Sequence, residues 1–204
     1  TLEKEAPRSL LLARALMVRG QAQAAKGDPA AATKTFAVIS GMAKNWGDAA
    51  ALIGAQGQAG VLAANKQFSE AADVLAKVLS GVDMTKIKGE YVNAAIDLAD
   101  NQRAAGKADA AVTTLQAVAY LDVEAKAQAR AHLSWAKALA ERPEAAALAA
   151  AFDQAAIAAT TKGADSATLA AAKALAATVA DKLSKDPTVS ATDKAEYKRT
   201  ITLF

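Results

Sequence analysis

Cysteine is absent from this 204-residue sequence, and histidine occurs once, as His132. Without cysteine the chain can form neither a disulfide nor a thiolate metal site. A single histidine also excludes the paired histidines of a zinc-binding helix. Because the usual enzymatic bases and nucleophiles are scarce, we expect a protein that is not an enzyme, with no catalytic residue, no metal and no cofactor.

Aromatic residues make up only 4% of the chain, and there are only 11 glycines and 4 prolines. Alanine, in contrast, occupies more than a quarter of the positions. This composition is rich in helix formers and poor in strand formers, so it excludes an all-β fold, a collagen-like chain and a disordered tail. Since alanine buries little area per residue, the core must be thin and closely packed.

Positive and negative charges nearly balance each other, with 24 basic and 21 acidic residues and a net charge of +3. A nucleic-acid partner is not expected, because the basic residues are spread along the chain and stacking aromatics are few. The loose cluster of Lys194, Lys198 and Arg199 is interpreted as a solvated helix face. The longest uncharged stretch, 49–65, contains polar residues and glycines and is too short for a membrane span, so no direct membrane insertion is expected.

Turn-forming residues occur at regular intervals, and between them the apolar residues have a helical period. Short turns make successive helices antiparallel neighbours, and no composition shift indicates a domain boundary. The sequence therefore predicts a single all-α domain over 1–204, built from helix hairpins. We predict ten helices, at about 8–26, 29–44, 48–65, 68–80, 84–105, 107–120, 123–140, 143–161, 165–184 and 191–203.

The predicted helices form pairs that repeat. Ala32, Ala71 and Ala111 each precede a large apolar residue by four positions, and they are 39 and 40 residues apart. Small residues at such positions let two helices approach closely. Helix pairs with a period near 39 are typical of an α-solenoid. The pairs are about 8–44, 48–80, 84–120, 123–161 and 165–203.

At these positions the sequence resembles the tetratricopeptide repeat (TPR) family, over about residues 12–120. That family has a small residue in the first helix, a glycine in the turn and Ala-x-x-x-Phe in the second helix. HEAT-type pairs, whose period is about 40–47 residues, are the structural alternative. The matching residues are Gly20, Gly27, Ala32 and Phe36, then Ala59, Phe68, Ala71 and Leu75, then Ala99, Gly106, Ala111 and Leu115.

The resemblance implies that the first helix of each pair lines a concave binding groove. The lining is mixed and polar, and it lacks the carboxylate clamp of chaperone-binding TPR proteins, so a protein segment is a better candidate ligand than a free C-terminus. The implied groove residues are Arg14, Met17 and Gln21 in pair one, Gln56 and Gly60 in pair two, and Asn93, Ile96, Asp100 and Arg103 in pair three.

The remaining polar and aromatic features have structural interpretations. We interpret His132 as a half-exposed packing residue, with Ser134 on another helix face. Asp97 and Asp100 share a face that is either solvated or lines the groove. Gly54, Gly57 and Gly60 mark a smooth helix face for close contact with a helix or a partner. Trp46 is expected to fill a gap between repeats, and Trp135 is expected in the core.

The C-terminal segment 191–203 is expected to cap the repeats, because the last pair has no neighbour. Ser190 and Asp193 resemble a capping box at its start. Tyr197, Ile201 and Phe204 fall on one face, which we expect to pack on helix 165–184. A docking helix for another protein is the alternative.

These observations favour a non-enzymatic scaffold that binds a protein or peptide segment, as a subunit or adaptor of a larger complex, for example in a bacterial envelope. The alternative is a helical accessory domain of a larger enzyme or membrane-anchored protein. Zero cysteine suits an exported protein, and the chain starts at Thr1. We therefore favour the periplasm, with a leader or anchor before Thr1, over the cytoplasm.

Overall fold

The computed structural model describes residues 10–41 and 47–204. Throughout these residues the chain is helical, with no β-strand, which confirms the all-α prediction. The described residues form ten α-helices: α1 (Leu10–Ala25), α2 (Pro29–Gly41), α3 (Asp48–Ala64), α4 (Phe68–Leu79), α5 (Lys88–Ala104), α6 (Ala108–Gln116), α7 (Ala125–Ala140), α8 (Ala145–Thr160), α9 (Ser166–Lys185) and α10 (Ala191–Ile201).

The chain divides into two compact units, with the division after Ala105. In unit 1, which ends at Ala105, each of α1 to α4 packs on the next helix in sequence. In addition, α1 packs on α3 and α3 packs on α5, so the first helices of the three pairs form a row. The single-domain organisation stays a prediction.

Unit 2, Gly106–Phe204, repeats this arrangement. Each of α6 to α9 packs on the next helix, and α7 also packs on α9. Helix α7 is central, because all six residues of the segment 131–136 are buried. Packing of consecutive helix hairpins is the architecture that the repeat pattern predicted.

The core of both units is thin and rich in alanine, as the composition predicted. Fully buried alanines such as Ala32, Ala71 and Ala111 lie at the helix contacts, and each second helix adds a buried Phe36, Leu75 or Leu115 one turn later. These alanines and the large residues after them are therefore buried, as the 39- and 40-residue spacings predicted.

The turns between paired helices repeat with the same spacing. Gly27, Lys66 and Gly106 each have a positive φ, of 82°, 63° and 76°. In the first two turns, the residue after the one with positive φ donates its backbone N–H to the carbonyl of the residue five positions earlier. Asp28 donates to Gln23, and Gln67 donates to Leu62. This left-handed helix ending favours glycine, so Lys66 holds a conformation that its Cβ makes costly.

Several local predictions differ from the structure. The helix predicted at 84–105 begins only at Lys88, because Asp83 caps a 3₁₀ turn at Met84–Lys86 that precedes it. The helix predicted at 107–120 ends at Gln116. Residues 117–120 form a turn instead, in which Val118 and Ala119 are buried. Trp46 and the predicted helical residues 8, 9 and 42–44 lie outside the described residues.

At the C-terminus Ser190 caps the last helix: its hydroxyl accepts from the Asp193 N–H at 3.1 Å and donates to Asp193 Oδ2 at 2.7 Å. Helix α10 packs on α9, as expected. Tyr197 nevertheless reaches further and contacts the Phe152 ring of α8 edge-on, with ring centroids 4.8 Å apart. Phe204 packs on the buried cluster of Leu133, Ala158, Ala159 and Ala172.

Candidate functional site

Two adjoining cavities lie on the row of first helices in unit 1. The cavity between α1 and α3 has a volume of about 240 Å³, and the cavity between α3 and α5 has a volume of about 380 Å³. Gln56 and Gly60 of α3 line both cavities, so the two share a wall. We call the two cavities together the unit 1 groove. Its walls outside α3 are formed by Met17, Gln21, Ala24 and Phe36 on one side and by Phe68, Asp97, Asp100, Asn101 and Ala104 on the other.

Helical spacing places the lining residues of α1 and of α3 in two stripes. On α1 the lining residues are Met17, Gln21 and Ala24, and on α3 Gln56, Gly60 and Ala63 follow the same spacing. Residues four and seven apart share a helix face, so each stripe borders the groove along two turns. The α1 and α3 stripes are 39 residues apart, which is the repeat spacing.

The structure brings together four of the predicted groove residues, Met17, Gln21, Gln56 and Asp100, along with Gly60. Arg14 is exposed, and Asn93 donates its side-chain amide to the Gly89 carbonyl of its own helix at 3.0 Å. Arg14, Asn93 and the half-buried Arg103 are not among the residues that line either cavity.

The inward position predicted for Ile96 is wrong, because Ile96 is buried in the core. Asp97, which follows Ile96 in the sequence, and Asn101, one helical turn later, border the groove instead. Burying a branched apolar side chain is favourable by about 1.5–3 kcal/mol, whereas burying a carboxylate is costly, and this difference orients α5.

A hydrogen bond crosses the groove wall between α3 and α5. The Gln56 side-chain amide donates to Asp97 Oδ2 at 2.6 Å. Asp100 is half-buried and lines the same cavity, and it makes no hydrogen bond or ion pair with any described residue. The lining of the whole groove contains these two carboxylates and no lysine or arginine. The groove is therefore acidic, although the chain carries a net charge of +3.

The three glycines of α3 have two different environments. Gly54 lies against the backbone of α2, and the Phe36 ring occupies the place where a Cβ of Gly57 would be. At these two positions close helix contact explains the glycine. Gly60 is exposed and has no atom within 4 Å of the position its Cβ would take, although it lies inside a helix. Packing therefore does not explain Gly60.

A third cavity, of about 450 Å³, lies in unit 2 between α8 and α10. Asp153, Asp193, Glu196 and Tyr197 line it together with Phe152 and Ile157. Partial desolvation raises the pKa of Asp153, and the nearby Glu196 carboxylate adds to the shift. This cavity could not be predicted from the sequence, because its carboxylates come from two helices that are far apart in the chain. Among the described residues no group of three or more His, Cys, Asp or Glu is arranged to hold a metal ion.

His132 is not half-exposed as predicted, since only 1% of it is exposed. Its Nδ1 donates to Gln154 Oε1 at 2.7 Å, and Tyr120 and Trp135 pack on its ring. Desolvation lowers the pKa of His132, and the bond to Gln154 opposes part of this shift. Trp135 is buried, as expected, and its indole N–H has no acceptor within the described part of the chain. Ser134 is buried as well.

Comparisons with known proteins return no relative, because no family model, no curated protein and no solved structure matches this chain. A search of the described helices finds none that is both long and apolar enough to cross a membrane, as expected from the sequence.

Proposed function

We propose that this protein is a non-enzymatic, TPR-like interaction scaffold that binds an extended segment of a partner protein in the unit 1 groove. HEAT-type pairing remains the structural alternative within this proposal. Rows of first helices form the binding surface in helical repeat proteins. The partner is a protein or peptide, because an acidic groove repels the phosphates of a nucleic acid.

Gly60 is the observation that carries this proposal. A glycine inside a helix costs about 1 kcal/mol relative to alanine. For Gly54 and Gly57 close packing offsets this cost, but nothing packs on Gly60. Gly60 lies where the two cavities meet, and any side chain there would project into the groove. A function that keeps the groove open explains why a glycine is retained.

The dimensions of the groove suit a peptide segment. Its two cavities have volumes of about 240 Å³ and 380 Å³, which together are enough for several side chains. The walls combine apolar surface from Met17, Phe36 and Phe68 with amides from Gln21, Gln56 and Asn101. Amides can bond to both the N–H and the C=O groups of an extended backbone, so they suit recognition of a main chain.

The test uses phage display of random peptides against the whole protein, followed by fluorescence anisotropy with the selected peptides. The Cβ of Gly60→Trp has open space and its ring would occupy the groove, so the substitution should abolish binding and leave the helix content unchanged. Gly89→Trp is the matched control. Gly89 is also helical with open space at its Cβ, but it lies outside the groove. Failure to select any peptide, or equal binding by Gly60→Trp, would contradict the proposal.

A further inference from the structure

We infer that the segment bound in the groove is basic, with a lysine or arginine whose charge is held by Asp97 and Asp100. This inference rests on the proposed function and adds the chemical class of the ligand. Both charges that line the groove are negative, and the lining contains no lysine or arginine. An interface places opposite charges together, so an acidic groove selects a basic partner.

The two carboxylates have different roles in this arrangement. Asp97 is positioned by the hydrogen bond from Gln56, which places its carboxylate against the wall of the groove. Asp100 follows it by three residues on α5, and no described residue donates a hydrogen bond to it. A half-buried carboxylate without a donor can gain a charge-assisted bond from a ligand, and such bonds are stronger than neutral ones.

The apolar wall next to these carboxylates fits the stem of a long basic side chain. Phe68 is half-buried and lines the same cavity as Asp97 and Asp100, together with Ala59 and Ala63. The methylene groups of lysine or arginine can cover such a surface while the charged end reaches the carboxylates. A cation over the Phe68 ring adds a favourable contribution. Arginine fits better than lysine, since its planar group can bond to two carboxylates at once.

The second cavity of the groove calls for an apolar residue in the same segment. Met17, Phe36 and Val61 line the space between α1 and α3, and this part of the groove contains no charge. Met is flexible and adapts to side chains of different shape. The ligand class is therefore an extended segment with one basic residue and, a short distance away, one apolar residue.

The experiment compares the peptides selected by phage display against the wild-type protein and against Asp100→Asn. Wild type should enrich arginine or lysine next to apolar residues, and Asp100→Asn should lose that preference. For one selected peptide, Asp100→Asn should weaken binding by about tenfold, as expected for loss of a charge-assisted bond. Asp73→Asn removes an exposed charge from α4 outside the groove, so it should leave the affinity within about twofold.

The possible outcomes separate this inference from the proposed function. Peptides that bind wild type but not Gly60→Trp, and that carry no basic residue, would overturn the inference and leave the proposed function intact. Enrichment of acidic peptides, or equal affinity of wild type and Asp100→Asn, would overturn it too. If Gly60→Trp binds all selected peptides normally, both proposals are wrong. A loss of affinity as salt is raised would support the ionic contact.

Discussion

The ring of Phe36 on α2 fills the space where Gly57 of α3 has no side chain. A Cβ on Gly57 would lie closer than 3.0 Å to several ring carbons, and a Cβ on Gly20 of α1 would lie closer than 3.0 Å to two of them. One phenyl ring thus packs against glycines of two different helices, and only 2% of Phe36 is exposed. This contact joins the first repeat pair to the second.

Alanine substitutions on α1 and α3 should change the free energy of unfolding in opposite directions, depending on whether Phe36 packs on the glycine. Gly57→Ala and Gly20→Ala should each lower the free energy of unfolding by about 1–3 kcal/mol, because the ring of Phe36 must move. Gly60→Ala should raise it by up to about 1 kcal/mol, since its Cβ meets open space and the helix propensity improves. Urea unfolding followed by circular dichroism measures all three, and equal effects would contradict the packing of Phe36.

Phe36→Ala should lower the free energy of unfolding by about 3–5 kcal/mol, because it leaves a cavity in the core of unit 1. In this background Gly57→Ala should cost much less than it does alone, because the atoms it would meet are gone. The double-mutant cycle in urea measures this coupling. Additive effects would mean that Phe36 and Gly57 are not in contact.

The left-handed turn at Lys66 predicts a stabilising substitution. Lys66→Gly should raise the free energy of unfolding by about 0.5–1 kcal/mol, because a glycine adopts the φ of 63° without strain. Gly27→Ala and Gly106→Ala, at the equivalent turns, should lower it by about 1–2 kcal/mol. Thermal melts of the three variants provide the test, and a loss of stability in Lys66→Gly would contradict the turn assignment.

The buried His132 predicts a loss of stability in mild acid. Its pKa in the folded chain lies below the ordinary value of 6.5, so as the pH falls below 6.5 the unfolded chain takes up the proton first. The free energy of unfolding should therefore fall between about pH 7 and pH 5. The raised pKa of Asp153 acts in the opposite direction.

The urea midpoints of wild type and of His132→Phe, measured between about pH 7 and pH 5, separate the contribution of His132 from that of Asp153. The variant should be less stable overall, because Gln154 loses its hydrogen-bond partner. Its stability should nevertheless depend less on pH, since the chain contains no other histidine. An unchanged pH dependence would show that His132 does not cause it.

Removal of the C-terminal helix should expose the core of unit 2. Truncation after Ser184 removes the contact of Tyr197 with Phe152 and that of Phe204 with the cluster around Leu133. The melting temperature should fall, and the dye ANS should bind to the uncovered apolar surface. A truncated chain that melts like the full chain but loses a binding partner would identify α10 as a docking helix.

The ten helices and their order could be predicted from the sequence, because these features depend on local interactions. Gly27 and Gly106 end helices through their own backbone conformation, and Ser190 begins one through its own side chain. The regular spacing of Ala32, Ala71 and Ala111 then indicated which residues lie at the helix contacts. The resemblance to TPR proteins implied Gln56 and Gly60 as groove residues, and both line the two cavities.

Only the tertiary structure decided which side of each helix faces which neighbour. In a chain with so much alanine, several faces of a helix are similarly apolar, so periodicity alone cannot choose between Ile96 and Asp97 as the groove residue. The contacts of Phe36 with Gly57, of Gln56 with Asp97 and of Tyr197 with Phe152 all join residues of different helices. Close packing selects among the possible faces, because only one arrangement buries the few large side chains without leaving voids.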